Sequence, residues 1–134
     1  MEFVVESFIN DLCQKRGTEF LKQATAGTIY RKWKIQVPVD KSDRKYDFAT
    51  YYKDKLYIFE SNFYRGGGSK LKSTAGEYRN LSKILKGYAE FVWITDGHGW
   101  AATWRPLREA FDQNDYIFNL NMLENGVFEH LIAP

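Results

Sequence analysis

At 134 residues, with 44% hydrophobic and 27% charged residues, the chain has the size of one domain and a globular make-up, excluding disordered and fibrous classes. It has no run of about 18 apolar residues, no basic-then-apolar leader and a single cysteine, Cys13. The expectation is one intracellular, cytoplasmic domain over residues 1–134 with no membrane span, no disulfide and too few Cys and His for a tetrahedral zinc site. The net charge of +2 hides a segregation, because Tyr30 to Lys86 holds 14 Lys/Arg against 6 Asp/Glu while the remainder is acidic. A basic middle segment suits a polyanionic partner, although lysine-rich strand edges kept soluble give the same count.

In chain order, Phe3, Val4, Phe8 and Leu12 recur at helical spacing, and Arg16-Gly17 supplies a basic last turn and a stop. Thr18 is placed to cap a short second helix through Ala24. Residues 28–37 alternate and read as a strand. Asp40 to Arg44 is a polar loop. Tyr46 to Tyr52 and Leu56 to Tyr64 are aromatic and β-branched strands, joined by a hairpin at Lys53-Asp54-Lys55.

RGGGSKLK then reads as a glycine-rich loop, and Thr74-Ala75-Gly76-Glu77 as a capping box opening a helix over Tyr78, Leu81, Ile84 and Leu85. Phe91 to Ile94 suits a buried strand ending at Asp96-Gly97. A helix near Pro106 to Phe111, a strand at Tyr116 to Phe118 and a turn near Asn121 to Glu124 complete the chain. A strand–helix–strand unit of this length implies a parallel neighbour for the hairpin, so the class is α/β with a mixed sheet flanked by helices.

Asp47 and Glu60 are the residues that promise chemistry. Glu60 and Asn62 share one face of a strand, and Ser61 offers a backbone carbonyl. Two carboxylates and a carbonyl make a hard oxygen site suited to Mg²⁺, which activates water and steadies charge on a phosphodiester being cut. Solvated acids on a strand face are the plain alternative. Glu60, however, is flanked by Ile58, Phe59 and Phe63, where an unpaired carboxylate is costly. Register provides a test: a two-residue loop at Lys53-Asp54 sets Asp47 opposite Glu60, one at Asp54-Lys55 sets it opposite Asn62, and a three-residue loop sets it opposite Ser61, on the wrong face unless a bulge corrects it.

The glycine-rich loop lacks the spacing of a nucleotide-binding loop. Its Arg65, Gly67, Gly68, Ser69, Lys70 and Lys72 instead suit backbone N–H groups and point charges meeting DNA phosphates, against the alternative of a plain connector. His98 in the following turn and Trp93 read as structural. Glu2 and Glu6 lie one helical turn apart, and either has the reach to approach the metal.

With these residues in hand, the chain resembles the catalytic part of DpnII/MboI-type restriction endonucleases. The resemblance runs through QAT (23–25), KSDRKYDF (41–48), ESNFYRGGGSKLKSTAGEY (60–78), FVWITDGHGW (91–100), PLREAF (106–111) and NL (119–120). It implies the PD-(D/E)XK nuclease core, of order αβββαβ, and Mg²⁺-dependent cleavage of double-stranded DNA at GATC by a homodimer. Asp47 then matches the first acidic position, Glu60 the second, and Asn62 stands where the general motif has lysine. Asn62 would position water or phosphate, and Lys70 would supply the missing charge. Members of the family are longer, with an N-terminal region this chain lacks, so the competing expectation is a remnant that binds DNA without cleaving it.

Overall fold

A computed structural model describes residues 2–63, 69–97, 108, 114 and 116–134, the side chains of 69–71 excepted. Its elements are α1 (Glu2–Arg16), β1 (Phe20–Ala24), α2 (Ala26–Trp33), β2 (Tyr46–Tyr52), β3 (Lys55–Phe63), α3 (Ser69–Leu85), β4 (Glu90–Asp96), β5 (Tyr116–Phe118), α4 (Leu120–Glu124) and α5 (Val127–Leu131). The strands form one five-stranded sheet in sequential order. β1, β2 and β3 pair antiparallel; β4 and β5 run parallel to β3 and to each other. This is the mixed α/β sheet expected, with α2 set between the first two of its three leading strands.

Helix α1 forms where expected and ends at Gly17 in the left-handed region. Its buried face is Val5, Ile9, Leu12 and Cys13, one position round from the expected stripe, and Phe3 is left 75% exposed. Two neighbouring readings are corrected. Residues 20–24 are a strand rather than a helix, since they pair along the edge of β2, and the Thr18 hydroxyl donates to the Tyr51 carbonyl instead of capping. Residues 26–33 are a helix rather than a strand. Thr25 and Thr28 close a reciprocal capping box there, and Ile29 and Trp33, four apart, turn towards the core.

The β2–β3 turn is the two-residue Lys53-Asp54, both with positive φ, and Tyr52 pairs with Lys55. Helix α3 begins at Ser69, five residues before its expected start, so Ser69, Lys70 and Lys72 lie on a helix and not in a loop. Thr74 and Glu77 are therefore inside α3; Glu77 accepts from Arg44 at 2.6 Å instead of capping. These polar residues are adequate helix formers, and the helix has an apolar side, Ala75, Tyr78, Leu81 and Leu85, packed on the sheet. The segment at Pro106 to Phe111 lies outside the described residues apart from Arg108, which is helical.

The sheet separates two cores. One lies under α1, α4 and α5 and is made of Val5, Ile9, Leu12, Phe48, Tyr57, Phe59, Val92, Ile94 and Phe128 among others. The other lies under α2 and α3 and includes Ile29, Tyr46, Ile58, Tyr78, Leu81 and Trp93. Strand alternation sends successive side chains of β3 and β4 to opposite cores, which places Glu60 and Asn62 on the α3 side and Ser61 on the α1 side.

Candidate active site

The β1–β2 pair contains an irregularity at one matched position. Pairing keeps a single register from Phe20↔Thr50 to Ala24↔Tyr46, yet Gln23 and Asp47 are themselves unpaired, and Gln23 has φ 49°. On one side of this step Lys22 and Phe48 face α1, the lysine reaching Glu6 at 3.1 Å. On the other side Ala24 and Tyr46 face α3. Both strands thus change faces together, and Asp47 stands where the change occurs.

Pairing between β2 and β3 ends at Phe48↔Phe59, so Asp47 lies one step beyond the ladder, in line with Glu60. Its Oδ2 accepts from the Ser61 backbone N–H at 2.8 Å and from the Ser61 hydroxyl at 3.1 Å. These bonds fix the first carboxylate beside the second.

Glu60 is buried, 6% exposed. Its Oε2 accepts from the Tyr78 hydroxyl at 3.3 Å, while Oε1 has no hydrogen-bond partner among the described residues. Burial first, then the adjacent Asp47 carboxylate, push its pKa up to about 9, against the opposing effect of the Arg44 guanidinium. A second acid approaches from the α1 side: the Glu2 carboxyl shares a hydrogen bond with Asp47, and this, ahead of burial, raises the Glu2 pKa. Gln23 Nε2 donates to Glu2 Oε1 at 3.3 Å. Glu6 is occupied by Lys22, so of the two helix acids it is Glu2 that reaches Asp47.

Among the described residues no group of three or more His, Cys, Asp or Glu is arranged to hold a metal ion. A hard divalent cation needs only one or two carboxylates, with water and phosphate oxygens completing its shell. The Asp47–Glu60 pair fits that requirement: two acids side by side, one with a buried oxygen lacking any donor, lose their mutual repulsion once a cation is bound.

Asn62 is bound at both ends of its amide. Trp93 Nε1 donates to its Oδ1 at 2.6 Å, and its Nδ2 donates to the Tyr78 hydroxyl at 3.5 Å. Trp93 is fully buried and pairs with Glu60 across β3 and β4, in keeping with a core role. Arg44, also near Glu60, forms a two-pronged pair with Asp40 and a further bond to Glu77, tying the α2–β2 connection to α3. Lys72 is exposed on α3, and Ser69 and Lys70 occupy its first turn. Arg65, Gly67, Gly68 and His98 lie outside the described residues. Asp96 is structural, its two oxygens accepting from the Gly97 and Leu120 N–H groups.

Sequence reading missed Tyr78 and Arg44. Tyr78 had a signal of a kind, a tyrosine on the apolar side of a helix, whose hydroxyl needs a buried partner. Arg44 had none, lying in a polar loop.

Residues 1–130 match the DpnII restriction endonuclease family over nearly the whole chain. The chain belongs to this family. It is 44% identical to the type II restriction enzyme MjaIII of Methanocaldococcus jannaschii, over 99% of this chain and 48% of that protein. It is 45% identical to the type II restriction enzyme LlaDCHI of Lactococcus lactis subsp. cremoris, over 98% of this chain and 45% of that protein. The type II restriction enzyme DpnII of Streptococcus pneumoniae is 32% identical over 98% of this chain and 48% of its own length. The chain spans about half the length of these relatives. Within the DpnII family, then, it is a mixed α/β domain whose paired acids lie at the open end of the β2–β3 hairpin. Among the described residues no helix is long and apolar enough to cross a membrane.

Proposed function

We propose that this chain is a single metal-dependent nuclease domain that hydrolyses phosphodiester bonds of double-stranded DNA, with Mg²⁺ as cofactor and GATC as its site. The observation that carries the reading is the buried Glu60 carboxyl, with one oxygen lacking a partner among the described residues, set against Asp47. Asp47, Glu60 and the Ser61 carbonyl would hold the ion. In an extended strand a residue's N–H and C=O leave towards the same edge, so that carbonyl departs on the side where the Ser61 N–H meets Asp47. A bound Mg²⁺ supplies Lewis acidity towards the phosphate and lowers the pKa of water. The protein's own part is to hold the two carboxyl groups side by side through the Ser61 and Tyr78 bonds, and a bound cation would favour loss of the proton that the buried Glu60 otherwise keeps. Arg65, Gly67, Gly68, Ser69, Lys70 and Lys72 would meet the DNA backbone, Lys70 nearest the scissile phosphate. The match to the restriction enzymes supports DNA as substrate; GATC as the site, a homodimer and a cytoplasmic setting complete the proposal.

Incubation of the purified chain with unmethylated GATC-containing DNA tests this reading. Cleavage should require Mg²⁺ and vanish in Glu60→Ala. Absence of cleavage by the wild type, or unchanged cleavage by the variant, removes the assigned chemistry.

A DNA-binding remnant without turnover is the second reading, favoured by one observation: the Asn62 amide is held by protein partners at a position where nuclease motifs carry a lysine charge. It predicts DNA binding that weakens steeply with salt, and no cut product at any Mg²⁺ concentration.

A further inference from the structure

Three hydrogen bonds connect the floor of the sheet to the candidate metal carboxylate. Trp93 Nε1 donates to Asn62 Oδ1 at 2.6 Å, Asn62 Nδ2 donates to the Tyr78 hydroxyl at 3.5 Å, and that hydroxyl donates to Glu60 Oε2 at 3.3 Å. The orientation is fixed from the Trp93 end, since an indole N–H can only donate and so takes the Asn62 oxygen as its acceptor. The Asn62 amide is thereby oriented with its oxygen towards Trp93 and its nitrogen towards Tyr78.

The rings supporting these bonds are buried and packed on one another. Trp93 is fully buried and Tyr78 is 5% exposed. Tyr78 packs edge-on against Trp93 at 5.0 Å and against Phe91 at 5.5 Å. The hydroxyl is therefore placed by three elements at once: α3 carries it, β4 fixes its ring and β3 orients it through Asn62. Glu60 Oε2, by contrast, receives its hydrogen bond from this hydroxyl. Removing the chain would leave the carboxylate inside the same pocket with its rotation unguided.

We infer that Asn62, Tyr78 and Trp93 act as positioning residues for Glu60, and that Asn62 touches neither the reacting water nor the phosphate. The inference rests on the metal-nuclease reading, within which it reassigns the position normally held by a catalytic lysine. Asn62 serves the metal through Tyr78. Outer partners that orient a metal-bound carboxylate commonly change metal affinity by about 10- to 100-fold when lost.

Isothermal titration of the purified chain with Mn²⁺, without DNA, separates the possibilities. Tyr78→Phe keeps the ring and removes the hydroxyl, so it should fold as wild type and bind Mn²⁺ about tenfold more weakly. Asn62→Ala should weaken binding to a similar extent. In the Tyr78→Phe background, Asn62→Ala should add little, because both act through one bond. Trp93→Phe should fall in the same direction, and high Mn²⁺ should restore cleavage in Tyr78→Phe but not in Glu60→Ala. The inference is overturned if Tyr78→Phe binds Mn²⁺ like the wild type. It is also overturned if Asn62→Ala keeps wild-type Mn²⁺ affinity and loses cleavage, or if the two losses multiply in the double variant. Wild-type protein that takes up no Mn²⁺ overturns the metal reading itself, and this inference with it.

Discussion

The two faces of the sheet are built on different terms. The face beneath α1 is apolar almost throughout, and its buried polar contact, Cys13 Sγ with the Thr50 hydroxyl at 3.5 Å, is satisfied by that hydroxyl donating to the Glu19 carbonyl at 2.6 Å. Beneath α3 the apolar core is interrupted by Glu60, Asn62 and the Tyr78 hydroxyl, with the Tyr46 hydroxyl and Glu60 Oε1 buried and unpartnered among the described residues. A buried polar atom without a partner costs about 1–3 kcal/mol, so the α3 face sacrifices stability that the α1 face does not. Both faces bury large apolar side chains, and what sets them apart is the set of polar groups that the α3 face takes in.

Truncation should be costly on both faces, most of all in the apolar core under α1. Phe59 is fully buried on the α1 face, edge-on to Phe128 at 5.4 Å. Phe59→Ala should cost about 3–5 kcal/mol in urea unfolding, with little change in the urea dependence. On the α3 side, Arg44 holds Asp40 and Glu77, with its side chain 9% exposed. Arg44→Ala should cost about 3 kcal/mol by leaving Asp40 without its cation.

Glu60→Gln should move the opposite way. In the folded protein Glu60 keeps its proton up to about 9, against an ordinary value of 4.5. Between those values the folded chain binds more protons than the unfolded one, so metal-free stability should fall as pH rises. Replacing Glu60 with Gln should flatten that slope and gain about 1–2 kcal/mol at pH 8, seen as a higher melting temperature, while abolishing cleavage. Destabilisation at pH 8 would contradict the contrast between faces. The smallest expected effect is in Thr25→Ala, which removes the α2 cap: about 1 kcal/mol by urea unfolding, with Mn²⁺ affinity unchanged.

Local signals carried much of the fold. The hairpin, β4 and β5 follow from runs of β-formers and turn residues, and the alignment of Asp47 with Glu60 is one of the three registers that a short turn at 53–55 allows. The reversed assignments at 18–37 have two causes. Residues 28–37 satisfy both periods, alternating along the chain while also bringing Ile29 and Trp33 onto one helical side. Phe20 to Ala24 become a strand only because β2 offers an edge, a non-local fact. At the site, residue type and spacing pointed to the two acids. They did not reveal that Asn62 is engaged by Trp93 and Tyr78, because those partners come from β4 and α3 and meet it only in the folded chain.

The matched step at Gln23 and Asp47 also decides which parts of the molecule can communicate. A strand side chain ordinarily addresses one layer, and the sheet insulates that layer from the other. Asp47, at the crossing point, addresses both: Glu2 from α1 above and Glu60 on the α3 side below. A change in the Glu2–Asp47 contact would therefore bear on the charge felt by Glu60. In electrical terms the sheet is an insulator, and at Asp47 an acid makes a contact through it.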